Sequence, residues 1–422
     1  MKIVFYSSNS NFFDKDTYKL KVLPSNESLF QTFIKKHPQD SFFCFTKFPA
    51  TFMPEKSAVE LDLSLSVNDF AAKILEVQPD FVIPLTFWTA PFDWLSVNDA
   101  LIAEILEKEG VKCLYHSVET SLLCFDKYRT HQKLLQEGFN ISKALYVDHD
   151  LYFCAGSHKD VINNVYKDSI KSQLEKLKLP LIIKDTVGLS SYGMTVVHKY
   201  GEALAYLSSK RNNSNRLVEE YLDGQQFGLE IYGYPGHYQI LPPFRFSLNQ
   251  YGITSPKQSA KYGPYPLTDE LKNLMERLAE VLELKGSAQV DLIYSDSKWY
   301  IIEINPRLSG MSYLYSQAMG LSVFDLIYNS CIKEETFPLV NPSLSLKLPI
   351  LNDDDMEKVS AIKNIKLLNQ VNDLAAKQER EKGFCECIIA GENAEEIKMS
   401  LEKLKEIFPD QATIEQSETI LK

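Results

Sequence analysis

Trp299-Tyr300-Ile301-Ile302-Glu303-Ile304-Asn305-Pro306-Arg307 is an apolar strand-like run whose second half carries a polar side chain at every other position. Successive side chains of a strand alternate faces, so Glu303, Asn305 and Arg307 are expected on one side and Tyr300, Ile302 and Ile304 on the other. A carboxylate, an amide oxygen and a guanidinium on one face make sense if a divalent cation and an anion meet there. Mg2+ takes carboxylate and amide oxygens together with phosphates, and a guanidinium pairs with oxyanions. Immediately upstream, Gln289-Val290-Asp291-Leu292-Ile293-Tyr294 reads as a second strand joined through Ser295-Asp296-Ser297-Lys298. A loop of odd length centred on Ser297 sets Asp291 opposite Glu303 on the same face, so that Asp291, Glu303 and Asn305 form a metal-binding set. The competing explanation is a surface hairpin with a solvated polar face. Trp299 and Ile301 speak against it, because this register places them beside Glu303.

Bulk properties narrow what such a site can serve. With 422 residues, 45% of them hydrophobic, the chain is long enough for two or three α/β layers with sizeable cores. A net charge of -11 without a basic block argues against nucleic acid or an acidic membrane as partner, while a few local lysines can still hold an anionic substrate. Seven cysteines without a CxxC pair indicate neither a zinc knuckle nor a disulfide framework, and fit a reducing cytoplasm. No run approaches a membrane span, and the chain opens on strand-like Lys2-Ile3-Val4-Phe5-Tyr6, so neither signal peptide nor anchor is expected.

Residues 1–117 alternate strand-like runs (3–6, 42–45, 81–85, 111–115) with helical stretches (67–77, 98–109), which implies a doubly wound parallel sheet. The first strand is followed by serines and asparagines, not GxGxxG, so a dinucleotide site has no support. One helix is expected over 121–137, then a less patterned insert over 144–168 whose His149 and His158 have no metal-ligand spacing. Strands follow at 179–184 and 216–220, with Asp223-Gly224 reading as a hairpin turn into 226–233. Thr268 caps a helix ended by Gly286. After residue 335 the prolines 338, 342 and 349 mark a linker, and a strand over 385–390 with a helix over 394–408 suits a small C-terminal α/β unit, with Cys385 and Cys387 on one face.

Phosphate chemistry needs cations aimed at oxyanions. Lys127 in a helix and Lys184 at the end of Pro180-Leu181-Ile182-Ile183-Lys184 are placed for it. The loop after Lys184, with Gly188, Ser190, Ser191 and Gly193, has the composition to fold over phosphates with backbone N–H groups. Leu217-Val218-Glu219-Glu220-Tyr221-Leu222 is an apolar strand ending in acids, able to offer backbone to an adenine edge and acceptors to a ribose. Taken singly, Lys184 reads equally as a surface lysine and the acidic strand as an ordinary edge.

Taken in order, Asp126-Lys127, Lys184 ahead of its loop, Val218 to Gly224, Asp291 and Glu303-Ile304-Asn305-Pro306-Arg307 resemble the ATP-grasp superfamily over roughly residues 75–330. The nearest functional relatives are carboxylate-amine ligases such as L-amino-acid ligases and D-alanine:D-alanine ligase. The resemblance implies an α/β protein with an N-terminal Rossmann-like domain (1–118), a central ATP-grasp lid (119–220), a C-terminal ATP-grasp subdomain (221–335) with ATP between the two, and an α/β extension (336–422). It implies ATP and one or two Mg2+ (or Mn2+) ions as cofactors. Lys127, Lys184, Ser190 and Ser191 would meet phosphates, Glu219, Glu220, Tyr221 and Leu222 adenine, and Asp291, Glu303 and Asn305 metal. Lys184 and Arg307 would act in catalysis, Arg307 on the acyl phosphate or tetrahedral intermediate. Many members carry glutamate at the ribose contact where this chain has Gln226, unless Glu230 substitutes. Arg245, Lys261, Ser309 and Gly310 are candidates for the substrate, Ser309 and Gly310 through backbone N–H groups; Lys257 reads as a solvated loop cation. The aromatic group Phe87, Trp88, Phe92 and Trp94 reads equally as core packing or a specificity pocket.

The expected activity is ATP-dependent joining of a carboxylate and an amine through an acyl phosphate, on small-molecule substrates of amino-acid or dipeptide type. Homodimerisation is common in such ligases. The rivals are bicarbonate activation of the biotin carboxylase or carbamoyl-phosphate synthetase kind and a non-catalytic ATP-binding module.

Overall fold

The computed structural model describes residues 1–8, 21–46, 58–60, 64–85, 97–157, 161–187, 194–209, 213–248, 259–335, 341–372 and 383–422. Ser190, Ser191, the glycines 188 and 193, Lys257, His158 and the aromatic group at 87–94 lie outside them.

Five parallel strands form the N-terminal sheet, in the order Ala58–Glu60, Ser41–Thr46, Lys2–Tyr6, Phe81–Pro84, Lys112–Cys113. The first strand lies centrally and the chain winds outward in both directions, the doubly wound pattern. Continuous apolar runs suit it because both faces are covered. Phe5 packs with Phe30 and Phe33 of the helix Asn26–Lys36, and Val4 and Tyr6 pack with Phe70 and Ala103 on the other side.

The second sheet, in the segment expected as the lid and called so below, is four-stranded and antiparallel, ordered Ala144–Val147, Arg216–Glu220, Leu181–Asp185, Thr195–Val197. Leu145, Val147, Leu181, Ile183 and Val218 form its apolar face beneath the helices Val165–Leu174 and Tyr200–Leu207. The stretch expected to be irregular after residue 144 is therefore the edge strand of this sheet, followed by the helix His149–Phe153, which Asp148 caps. Elements of four and five residues are too short for a period to show.

The third sheet has ten strands. Its order is Lys298–Asn305, Gly286–Ser295, Gln225–Tyr234, Phe244–Phe246, Ala260–Gly263, Ser343–Leu348, Gly383–Ala390, Ile365–Asn372, Lys21–Leu23, with His237–Ile240 paired to Gln225–Tyr234. Asp223-Gly224 is no hairpin turn, since Arg216–Glu220 and Gln225–Tyr234 lie in different sheets. The pair instead carries the chain from lid to base, and a Cβ at Gly224 would stand 2.5 Å from the Tyr294 carbonyl oxygen. Gly286 likewise begins a strand and does not end the preceding helix; its φ of 81° sets its backbone against Leu114. Ala260–Gly263 pairs with Ser343–Leu348, so the boundary expected at 335/336 falls between strands of one continuous sheet.

One face of this sheet, with Leu229, Ile231, Val290 and Leu292, packs on the Thr268-capped helix Asp269–Val281. The other carries Phe244 and Phe246 beneath the helix Gly310–Ala318. A Cβ at Gly228 would meet Phe246 Cζ at 2.3 Å and Met311 Sδ at 2.9 Å. Gly228→Ala is expected to lower stability by about 1–3 kcal/mol through overpacking, read as a lower thermal midpoint. Among the described residues no helix is long and apolar enough to cross a membrane.

Candidate active site

The hairpin that carries the acids turns at Asp296 and Ser297, whose φ values of 47° and 59° are those of a two-residue primed turn. Ser295 pairs with Lys298 and Leu292 with Ile301. The odd-length loop expected around Ser297 is thus absent. Unbroken, the pairing would set Asp291 against Ile302, but the register shifts between Asp291 and Leu292 and brings Asp291 opposite Glu303. The extra residue of a bulge re-aims the side chains beyond it. Trp299 and Ile301 therefore share the apolar face of Ile304, Val290 and Leu292, opposite Glu303 and not beside it. Asp291 and Glu303 face one another as expected, for a different local reason.

Gln289, which the sequence reading missed, completes the row. It lies opposite Asn305, and its Nε2 donates to Asp291 Oδ1 at 2.7 Å. Its position two residues before Asp291 in the same strand was the available signal. Burial and the charge of Glu303 raise the Asp291 carboxyl to about 6. Burial also works upward on Glu303, but the Lys127 ammonium, 2.9 Å away, with Lys184 and Arg307, holds it below the usual carboxylate range. Arg307 is buried and donates through Nη2 to Asn305 Oδ1 at 3.3 Å.

Lys127 reaches Glu303 because the helix expected over 121–137 is two helices, Val118–Phe125 and Lys127–Gln136. Asp126 breaks the run in an extended conformation and caps the second helix by accepting from the N–H groups of Tyr128 and Arg129. The Lys127 N–H donates to the Thr186 carbonyl at 2.8 Å, tying this helix to the end of the Lys184 strand.

In the lid, Lys184 lies opposite Leu217, Leu217 opposite Tyr146, and Glu219 opposite Ile182 and Ala144. These six residues share the face turned away from the lid's apolar core. Lys184 and Glu219 are buried and ion-paired, and Ser142 Oγ donates to Glu219 at 2.9 Å. Glu220 points to the other face and accepts from the Lys178 N–H at 2.9 Å. The Tyr221 N–H is engaged by the Pro180 carbonyl at 3.0 Å. Tyr128 stacks on Tyr146 with centroids 4.2 Å apart.

Four sequence candidates take other roles. Glu230 is 0% exposed and accepts from Ser309 Oγ at 2.7 Å, Ser312 Oγ at 2.8 Å and Tyr232 Oη at 2.7 Å. It anchors the helix after Arg307, its carboxylate already engaged by these three hydroxyls. Ser309 is the N-cap of that helix, its own N–H bound to Ser312 Oγ at 3.1 Å, so it offers no donor to an acyl group. Gly310 begins the helix. Arg245 lies opposite Phe227 and so faces away from Asp291, whereas Phe246 places Lys261 on the Asp291 side.

Burial raises Glu230 to about 7, against the three hydroxyl bonds. A carboxyl that holds its proton more tightly when folded contributes stability that is complete below the unfolded value of 4.5 and lost as pH rises through about 7. Glu230→Gln is expected to remove this slope, up to ~1.4 kcal/mol per pH unit, seen by comparing urea midpoints of variant and parent across that range.

Among the described residues no three His, Cys, Asp or Glu side chains gather. The donor set is two carboxylates and the Asn305 amide. That set would suit Mg2+, which takes carboxylate and amide oxygens together with water and phosphate oxygens and would offset the Glu303 charge that, after burial, raises Asp291.

Residues 124–311 match the family model described as the ATP-grasp domain. D-alanine–D-alanine ligase of Buchnera aphidicola subsp. Schizaphis graminum is 28% identical over 246 residues, 54% of this chain and 76% of that protein. Carbamoyl phosphate synthase large chain of Clostridium beijerinckii is 23% identical over 202 residues, 44% of this chain but only 19% of that protein. Among solved structures, L-amino acid ligase from Bacillus licheniformis has a TM-score of 0.65 at 16% identity, covering 96% of this chain and 97% of that one. The similarity to the ATP-grasp domain thus covers residues 124–311, and the likeness of fold to the L-amino acid ligase extends over nearly the whole chain.

Proposed function

We propose that this protein joins a carboxylate to the amine of an amino acid or related metabolite, spending ATP and releasing ADP and phosphate. The observation that carries the reading is the Asp291–Glu303 carboxylate pair facing Lys127 and Lys184 from helix and lid. A carboxylate is a poor electrophile, so its oxygen attacks the γ-phosphorus and becomes an acyl phosphate, from which the amine then displaces phosphate. Asp291, Glu303 and Asn305 would hold Mg2+, which supplies charge neutralisation between the phosphates. Lys127 and Lys184 bind phosphate oxygens, and Arg307 steadies the acyl group. Ala144, Ile182 and Leu217, on the lid face that carries Lys184 and Glu219, take the adenine.

The test is ADP release over pairs of amino acids. ADP and phosphate are expected with at least one pair; AMP and pyrophosphate would overturn the acyl-phosphate route. The similarity to carbamoyl phosphate synthase favours a second reading, activation of bicarbonate. ATP turnover that depends on bicarbonate alone would select it, and nucleotide binding without turnover would select a non-catalytic module.

A further inference from the structure

Lys127 and Lys184 stand on different elements, yet one helix reaches both. Lys127 opens the helix Lys127–Gln136, and its N–H donates to the Thr186 carbonyl, just past the end of the strand Leu181–Asp185 that carries Lys184. His131 follows one turn later on the same side of the helix. Its Nε2 lies 2.8 Å from the Ser142 carbonyl oxygen. A carbonyl only accepts, so Nε2 is the donor. Nδ1 is buried and has no hydrogen-bond partner among the described residues, so the polar work of this ring is the single bond to Ser142.

From Ser142 the contacts continue into the lid. Ser142 Oγ donates to Glu219 Oε1 at 2.9 Å, and Glu219 Oε2 is paired with Lys184 Nζ. None of the four residues is more than 8% exposed. Leu134 and Phe139 belong to the apolar core of the base with Leu229 and Val290, whereas Leu145 opens the core of the lid. Ser142 thus sits where the chain passes from base to lid. Glu219 sits where it is about to return, and the Glu220 N–H donates to the Lys143 carbonyl at 2.9 Å. Each oxygen of Glu219 has a different partner, a hydroxyl on one and an ammonium on the other. Without the hydroxyl, more of the carboxylate charge would fall on Lys184 and draw it away from any other anion.

We infer that His131 and Ser142 are positioning residues for Lys184: acting through Glu219, they hold its ammonium where it meets a phosphate, so that the helix of Lys127 fixes both phosphate cations. This rests on the reading of Lys184 as a phosphate ligand given above.

The test is calorimetric titration of the full chain with Mg2+ and the non-hydrolysable ATP analogue AMP-PNP, which needs no substrate pair. Ser142→Ala should weaken binding about 10-fold, the lower end of what a hydrogen bond to a charged group contributes. His131→Leu should weaken it ~3- to 10-fold, the worth of an ordinary hydrogen bond. His131→Gln, whose amide nitrogen can reach the same carbonyl, should bind within about twofold of the parent. Introduced into Lys184→Met/Glu219→Gln, Ser142→Ala and His131→Leu should each change the dissociation constant by less than about twofold, because residues that act through one lysine are not additive with its loss. An equal loss with and without Lys184 overturns the inference, since the two residues then act on the fold and not through the lysine. Binding like the parent's in a folded Ser142→Ala overturns it too. If Lys184→Met/Glu219→Gln itself binds the analogue as the parent does, the phosphate role of Lys184 fails first, a distinct result, and the inference falls with it.

Discussion

Glu303→Gln is expected to reduce ADP release by at least ~10³-fold, because the charge proposed to hold the catalytic cation would act in a water-poor site. The amide keeps the shape of the side chain but removes the negative charge on which Lys127 sits at 2.9 Å. It also removes one of the two causes that raise Asp291, after burial, so the Asp291 carboxyl should fall back toward its ordinary value. The fold should survive, since Glu303 is not part of the apolar face formed by Trp299, Ile301 and Ile304. The decisive comparison is Mg2+-dependent turnover against thermal midpoint. Turnover like the parent's would refute the metal assignment, whatever the midpoint.

Lys184→Met should be the most damaging single change to the lid. It removes the cation proposed to bind phosphate and also leaves Glu219 buried without its ion pair. Breaking a buried pair by deleting one partner costs about 3–5 kcal/mol, so loss of activity in this variant alone would be ambiguous. Lys184→Met/Glu219→Gln separates the effects. Stability should return to within ~1 kcal/mol of the parent, with Ser142 still able to donate to the amide oxygen, because no uncompensated charge remains. Turnover should stay down by roughly 10²-fold or more, the loss expected when a cation on a transferring phosphoryl group is removed. If the double variant recovers activity along with stability, Lys184 is a structural partner of Glu219 and not a phosphate ligand.

Much of the architecture was legible because its signals are local. The alternation of short apolar runs and helices announced the parallel N-terminal sheet, and the spacing around Leu271, Met275 and Leu278, with Thr268 ahead, announced the helix Asp269–Val281. Other readings failed where the cause is not local. Asp223-Gly224 has hairpin chemistry, yet its flanking strands pair with strands of two different sheets, contacts that no local signal specifies. Glu230 has the look of a ribose contact, yet three hydroxyls from two elements hold it in the interior.

The sequence by itself determined that acids, an amide, two lysines and an arginine stand in an order able to serve nucleotide and metal, and that one strand would present Glu303 and Asn305 together. Side-chain alternation is a property of the backbone and needs no partner. Only the tertiary structure decided that Asp291 meets Glu303 through a bulge, that Lys127 reaches the pair after a helix break at Asp126, and that His131, Ser142 and Glu219 join the same helix to Lys184. Register, helix breaks and the meeting of distant strands depend on which surfaces each element buries. That choice is made by the packed chain as a whole.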